Sequence, residues 1–212
     1  MDTTPDQTSR PFDLQSALNV VRDAEARARR QLGPDEVVLY LVWGIAWLLG
    51  YGALHGSRFG WLPIDRGPAL LLHGLCIIAG VLVTLIIAAR QSRGIRGHST
   101  FIGAMYGSAW VLGFLVLGSL SGRLAQAIND FWLMGLVINS IAVLIVGLLY
   151  ITGGTIFNDR TQAILGIWFL LVDIIAIISG PEHFLTVFFV FGSGGFLIGA
   201  LVEYVCRRRQ VR

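Results

Sequence analysis

The chain of 212 residues has no lysine, two cysteines and six prolines, and charged side chains make up only 14% of it. Each shortage excludes something. Cys76 and Cys206 cannot make a disulfide framework, and they stand at different depths of the apolar pattern, so they read as packing residues. So few charges cannot cover the surface of a soluble domain. Catalytic signatures are missing too. There is no Walker loop, no Gly-x-Gly-x-x-Gly between a strand and a helix, no Gly-x-Ser-x-Gly elbow and no His-Glu-x-x-His. His55, His73, His98 and His183 are too scattered for a metal-spaced cluster. These gaps point away from an enzyme and call for no cofactor and no metal. The first 36 residues hold no apolar core of a secretory signal, so the first apolar span is expected to direct insertion.

What the chain has is hydrophobic residues, at 55% and a mean hydropathy of +0.70. Six stretches of about twenty residues, near 37–55, 69–89, 101–120, 131–150, 162–179 and 184–205, each match the roughly 30 Å core of a bilayer at about 1.5 Å per residue. The reading is all-α: a polytopic membrane protein with six transmembrane helices. Its organisation is a disordered tail at 1–11, an amphipathic interfacial helix at 12–33, a six-helix domain at 34–206 and a basic tail at 207–212.

Arginine supplies all sixteen basic residues, as a GC-rich bacterial genome would. If the chain crosses six times, only Arg58, Arg66 and Arg123 fall on one side and the other thirteen fall on the opposite side. The positive-inside rule then places both termini in the cytoplasm of a bacterial inner membrane. Topology accounts for the pI of about 9.2, so nucleic acid is not an expected partner.

Helix punctuation agrees with the spans. Pro68 suits the opening of the second, Asn129-Asp130 and Asn158-Asp159 offer caps to the fourth and fifth, and Gly180-Pro181-Glu182 precedes the sixth. Ahead of the first span, Leu14, Leu18, Val21, Ala24, Ala28 and Leu32 recur at helical spacing after Pro11-Phe12-Asp13. Arg22, Arg27, Arg29 and Arg30 on that segment suit anionic head groups or a docking partner. Gly33-Pro34 would end it.

Short joints predict antiparallel hairpins, and a weak repeat suggests three in tandem. Gly44-Ile-Ala-Trp-Leu-Leu-Gly-Tyr51 matches Gly107-Ser-Ala-Trp-Val-Leu-Gly-Phe114, and His73-Gly74-Leu75 aligns with Met134-Gly135-Leu136. Gly166-Ile-Trp168 reads as a degraded third copy. Three hairpins of this length, with a last one reading Gly166-Ile-Trp…Gly180-Pro181…Gly192…Gly195, resemble the six-span bacterial acid-resistance membrane protein family. The resemblance implies a stress-related membrane protein and carries no catalytic residues.

Two groups of residues stand out inside the spans. Gly103-xxx-Gly107 and Gly195-xxx-Gly199 present small residues on one face and are expected to allow close helix packing. Gly192-Ser193-Gly194-Gly195 could instead interrupt the sixth helix. His73, Asn139 and Asp173 lie at similar depth on three spans and are candidates for one intramembrane polar layer, with His73 and Asp173 paired. Glu203 and Arg207 have the spacing of an interfacial ion pair. The function expected is that of a non-enzymatic accessory, stress-related or regulatory membrane subunit. A small-solute or proton-coupled transporter working through the polar layer is the alternative. Partners would be the lipid bilayer and a membrane protein or a second copy of the chain.

Overall fold

The structure, a computed structural model, describes residues 15, 18–20, 36–91 and 98–210. The chain divides into two units, Met1–Pro34 and Asp35–Arg212. In the first, Gln15, Leu18, Asn19 and Val20 are helical. Arg22, Arg27, Arg29, Arg30 and the expected turn at Gly33-Pro34 lie outside the described residues.

The second unit is helical, with no strand among the described residues. Its helices are α1 (Glu36–Phe59), α2 (Arg66–Gln91), α3 (His98–Ala127), α4 (Phe131–Ile156), α5 (Arg160–Val187) and α6 (Ser193–Gln210), with a π turn, Phe188–Gly192, joining the last two. Most run longer than the apolar pattern alone indicates, because polar residues at their ends continue the backbone hydrogen bonding. Asp130 caps α4 by accepting from the Trp132 and Leu133 amides at 2.8 and 3.0 Å, and Asp159 caps α5 by accepting from the Gln162 amide at 3.0 Å. Each carboxylate satisfies donors that a helix start otherwise leaves unpaired. At the other end of the chain, Arg207, Arg208 and Arg209 belong to the last turn of α6.

Five stretches are long and apolar enough to cross a membrane: Glu36–Phe59, Arg66–Arg90, Phe101–Ala127, Phe131–Ile156 and Arg160–Arg209. The last counts 50 residues, and straight it would reach about 75 Å, more than twice a bilayer core. It is not straight. Gly180 has φ 71 and ψ −177, a conformation open almost only to glycine, and Pro181 follows with no amide hydrogen to rejoin the ladder. Beyond this kink the chain runs back on itself. Phe169 and Phe196 pack at a tilt with ring centroids 4.5 Å apart, and the Trp168 indole donates to the Phe191 carbonyl at 3.0 Å.

α1 packs on α2, α6, the π turn and α5, while α4 packs on α5 and α3. α2 has its main contact on α1, and α3 on α4. The core lies where α1, α5 and α6 meet: Trp47, Tyr51, Phe169, Phe184, Phe188 and Phe196 are all buried there. Trp47 packs edge-on against Phe188 and Phe196, an arrangement favoured by the ring quadrupoles.

Glycine positions give the closest approaches. On Gly195 a Cβ would meet Trp168 at 2.5 Å, and on Gly199 it would meet Leu165 at 2.9 Å. Around Gly103 and Gly107 no atom of a neighbouring element lies within 4 Å of such a Cβ, so the close packing expected there is not made among the described residues. A further close seam is one the spacing did not single out. A Cβ on Gly166 of α5 would stand 2.7 Å from the Gly147 carbonyl of α4. The Gly192–Gly195 run does not break the backbone either. It passes through the π turn as continuous helix, with Ser193 donating to the Phe189 carbonyl and Gly192 set against the Trp47 ring.

Candidate functional site

The three polar residues singled out from the sequence gather near one buried tyrosine. Tyr51 of α1 is 3% exposed, and its hydroxyl donates to Asn139 Oδ1 of α4 at 2.6 Å. Asn139 Nδ2 in turn donates to the Gly135 carbonyl one turn earlier, at 2.7 Å. That back-bond holds the amide so that its oxygen is turned to the tyrosine. The His73 ring of α2 lies edge-on to the Tyr51 ring with centroids 4.8 Å apart. Its approach depends on Gly50, where a Cβ would stand 2.6 Å from His73 Nδ1.

Asp173 of α5 is 5% exposed, and Ser140, next to Asn139 on α4, lies beside its carboxyl. His73 and Asp173 do not form the pair expected from their depth. Tyr51 engages Asn139 and His73, while His73 Nδ1, Ser140 Oγ and Asp173 Oδ1 are buried without a hydrogen-bond partner among the described residues. Buried polar atoms left this way are costly. The layer thus spans four helices: Tyr51 on α1, His73 on α2, Asn139 and Ser140 on α4, and Asp173 on α5.

Two further polar groupings close the ends of the bundle. At the end where α1 begins and α6 finishes, Arg207 pairs with Glu203 at 3.4 Å and with Glu36 at 3.6 Å. Tyr40 donates to Asp159 Oδ2 at 3.2 Å, and Thr161 to Glu203 Oε2 at 3.3 Å. These contacts tie α1, α5 and α6 together, and Glu203 with Arg207 makes the i,i+4 pair that its spacing predicts. At the opposite end, Arg58 donates to the Pro181 carbonyl at the kink and pairs with Glu182 at 3.6 Å. His55 Nδ1 accepts from the Trp61 indole at 2.8 Å, and His55 Nε2 meets Thr186 Oγ1 at 3.1 Å.

Tyr51, Gly50 and Ser140 were missed in the sequence reading. An aromatic residue in an apolar span reads as core or belt, and a serine as a small filler. The only available signal was position, since Ser140 adjoins Asn139 and Gly50 adjoins Tyr51. No group of three His, Cys, Asp or Glu side chains converges as metal ligands among the described residues. Cys76 and Cys206 are free thiols.

Comparison with protein families, with curated proteins and with solved structures gives no significant match, so the site is interpreted on its own geometry.

Proposed function

We propose that the protein is a six-span protein of the bacterial cytoplasmic membrane, with both termini in the cytoplasm, acting as a non-enzymatic accessory or regulatory subunit. The observation carrying the reading is that Asp173, the carboxyl deepest in the spans, is buried on all sides by the bundle. A carboxyl so enclosed orients helices; one that carried a solute would need a wet path. Six crossings are supported by the fold-back at Gly180, which turns the fifty-residue stretch into two antiparallel arms. Sidedness is supported by the thirteen-to-three arginine asymmetry. The stress-related part of the reading rests on the likeness of its helix layout to the acid-resistance family.

A second reading, a proton-coupled carrier, is favoured by one specific observation: three buried polar atoms in the layer lack hydrogen-bond partners. One experiment separates the two. Purified protein is reconstituted in liposomes holding a pH-sensitive dye, and a pH gradient is imposed with a counter-ion path. The accessory reading expects the gradient to decay as in protein-free vesicles, for both wild type and Asp173→Asn. Protein-dependent decay that Asp173→Asn abolishes, with helix content unchanged, would overturn it. Labelling of Thr3→Cys and Ser121→Cys from outside intact cells decides sidedness, with only Ser121→Cys expected to react.

A further inference from the structure

The sequence puts three arginines, Arg58, Arg66 and Arg123, on the side of the bundle where arginine is sparse. Two of the three converge. Together with Ser57, Ile64, Asp65 and Trp132, Arg58 and Arg66 line an open cavity of about 290 Å³ where the α1–α2 turn meets the start of α4. That volume is at the lower edge of the range taken by small-molecule sites. The Trp132 ring serves both cations: the Arg58 guanidinium carbon lies 4.3 Å from its centroid and that of Arg66 5.7 Å. Arg66 also stacks on Phe131, at 4.7 Å. The rings hold both guanidiniums at this cavity, and Arg58 also donates to the Pro181 carbonyl, which leaves part of its edge and that of Arg66 for a ligand.

The charges of the cavity are not balanced by strong pairs. Arg58 is largely buried, with its side chain 12% exposed, and its partner Glu182 is 78% exposed at 3.6 Å. A contact that long to a solvated carboxylate is weak and easily exchanged. No carboxylate pairs with Arg66 among the described residues. Asp65 stands on the same wall, so the site selects against anions that cannot place their charge directly between the two guanidiniums. The Ser57 hydroxyl adds a neutral donor.

We propose that this cavity binds a phosphate oxyanion, seated between the edges of Arg58 and Arg66 with the Ser57 hydroxyl as a further donor. Planar guanidiniums match a tetrahedral oxyanion through paired hydrogen bonds. Trp132 and Phe131 stand at the start of a membrane-spanning stretch, the level at which aromatic belts meet lipid head groups. Two sources can supply this chemistry there, the head group of an anionic phospholipid and free phosphate.

The test uses the full-length protein in detergent and native mass spectrometry, with phosphatidylglycerol, phosphatidylcholine and inorganic phosphate as probes. Detergent exposes both ends of the bundle, so the result does not depend on sidedness, which the labelling above decides separately. Wild type is expected to retain phosphatidylglycerol in preference to phosphatidylcholine. Arg66→Gln should weaken that binding roughly tenfold or more, the scale of one charge-assisted contact. Arg66 is exposed, and its contacts on another helix are its stacking on Phe131 and Trp132, so this variant should keep its helix content, which circular dichroism checks. Arg123→Gln, which removes an arginine outside the cavity, should bind as wild type does.

Lipid binding that inorganic phosphate does not displace assigns the site to a head group. Phosphate binding without lipid retention assigns it to the free anion. Failure of both probes, or equal loss in Arg66→Gln and Arg123→Gln, would overturn the proposal in favour of diffuse surface charge.

Discussion

Helices α1 and α3 carry the same local run, Gly-x-Ala-Trp-x-Leu-Gly-aromatic, at Gly44–Tyr51 and Gly107–Phe114, and the fold uses the two runs in opposite ways. In α1 a Cβ on Gly44 would meet Leu197 of α6 at 2.7 Å. Trp47 is 5% exposed against three phenylalanines, and Tyr51 joins the polar layer. In α3 a Cβ on Gly107 would meet nothing within 4 Å. Trp110 is half-buried against Tyr150 of α4, and Phe114, in the place of Tyr51, is 40% exposed. The shared run makes a helix with one small-residue face in both cases. What differs is the number of neighbours: α1 packs on α2, α5, α6 and the π turn, whereas α3 packs on α4. In a bilayer, apolar surface need not be buried, so a run of this kind specifies an available packing face without ensuring that it is used.

The largest test of this contrast is truncation of the matched tryptophans. Trp47→Ala removes a ring from a closed aromatic cluster and should cost about 3–5 kcal/mol, the usual range for emptying a core aromatic site. Trp110→Ala should cost less than half as much, because lipid or detergent can fill the space beside α3. Unfolding in mixed micelles, followed by circular dichroism, measures both. Equal costs would mean that α3 is covered as fully as α1 when the protein is assembled.

Next in size is the matched aromatic hydroxyl. Tyr51→Phe leaves the Asn139 carbonyl oxygen without its 2.6 Å donor and should cost about 1 kcal/mol, within the span measured for interhelical hydrogen bonds in membranes. Phe114→Tyr adds a hydroxyl on α3 and should change stability by less than about 0.5 kcal/mol. A double-mutant cycle of Tyr51→Phe with Asn139→Ala should recover a coupling of about 0.5–1.7 kcal/mol. No coupling would separate the tyrosine from the polar layer.

How much of this could be read from the residues depends on the kind of signal. Asp130 and Asp159 announced two helix starts because a cap needs an acceptor at one backbone position, and Gly180-Pro181, read as the joint before the sixth span, stands at the kink. His73, Asn139 and Asp173 were conspicuous because a polar side chain inside an apolar span is rare. Their grouping around Tyr51 was not legible, since it depends on the rotation of each helix about its axis. Helices with little difference between their faces, such as α4 and α5, carry little periodicity to fix that rotation. The same loss explains the glycines. Gly103-xxx-Gly107 and Gly195-xxx-Gly199 look alike as strings, yet only the second meets a neighbour, and the Gly147–Gly166 seam has no motif at all.

The smallest effect is also the one whose sign is most informative. Gly44→Ala puts a methyl 2.7 Å from Leu197 Cδ2 and 3.3 Å from Phe196 Cβ, so the Leu197 side chain or α6 must give way, at a cost of about 1 kcal/mol. Gly103→Ala and Gly107→Ala place their methyls in open space, and only the backbone term remains. Alanine restricts the unfolded chain more than glycine does and favours the helix, so each should gain up to about 0.5–1 kcal/mol. The comparison between α1 and α3 therefore predicts opposite signs for the same chemical change. A loss at Gly107→Ala that disappears on dilution in detergent would mean that another helix, from a partner or a second copy, occupies that face. A loss that persists at every dilution would mean that α3 packs more closely within the chain than α4 alone allows.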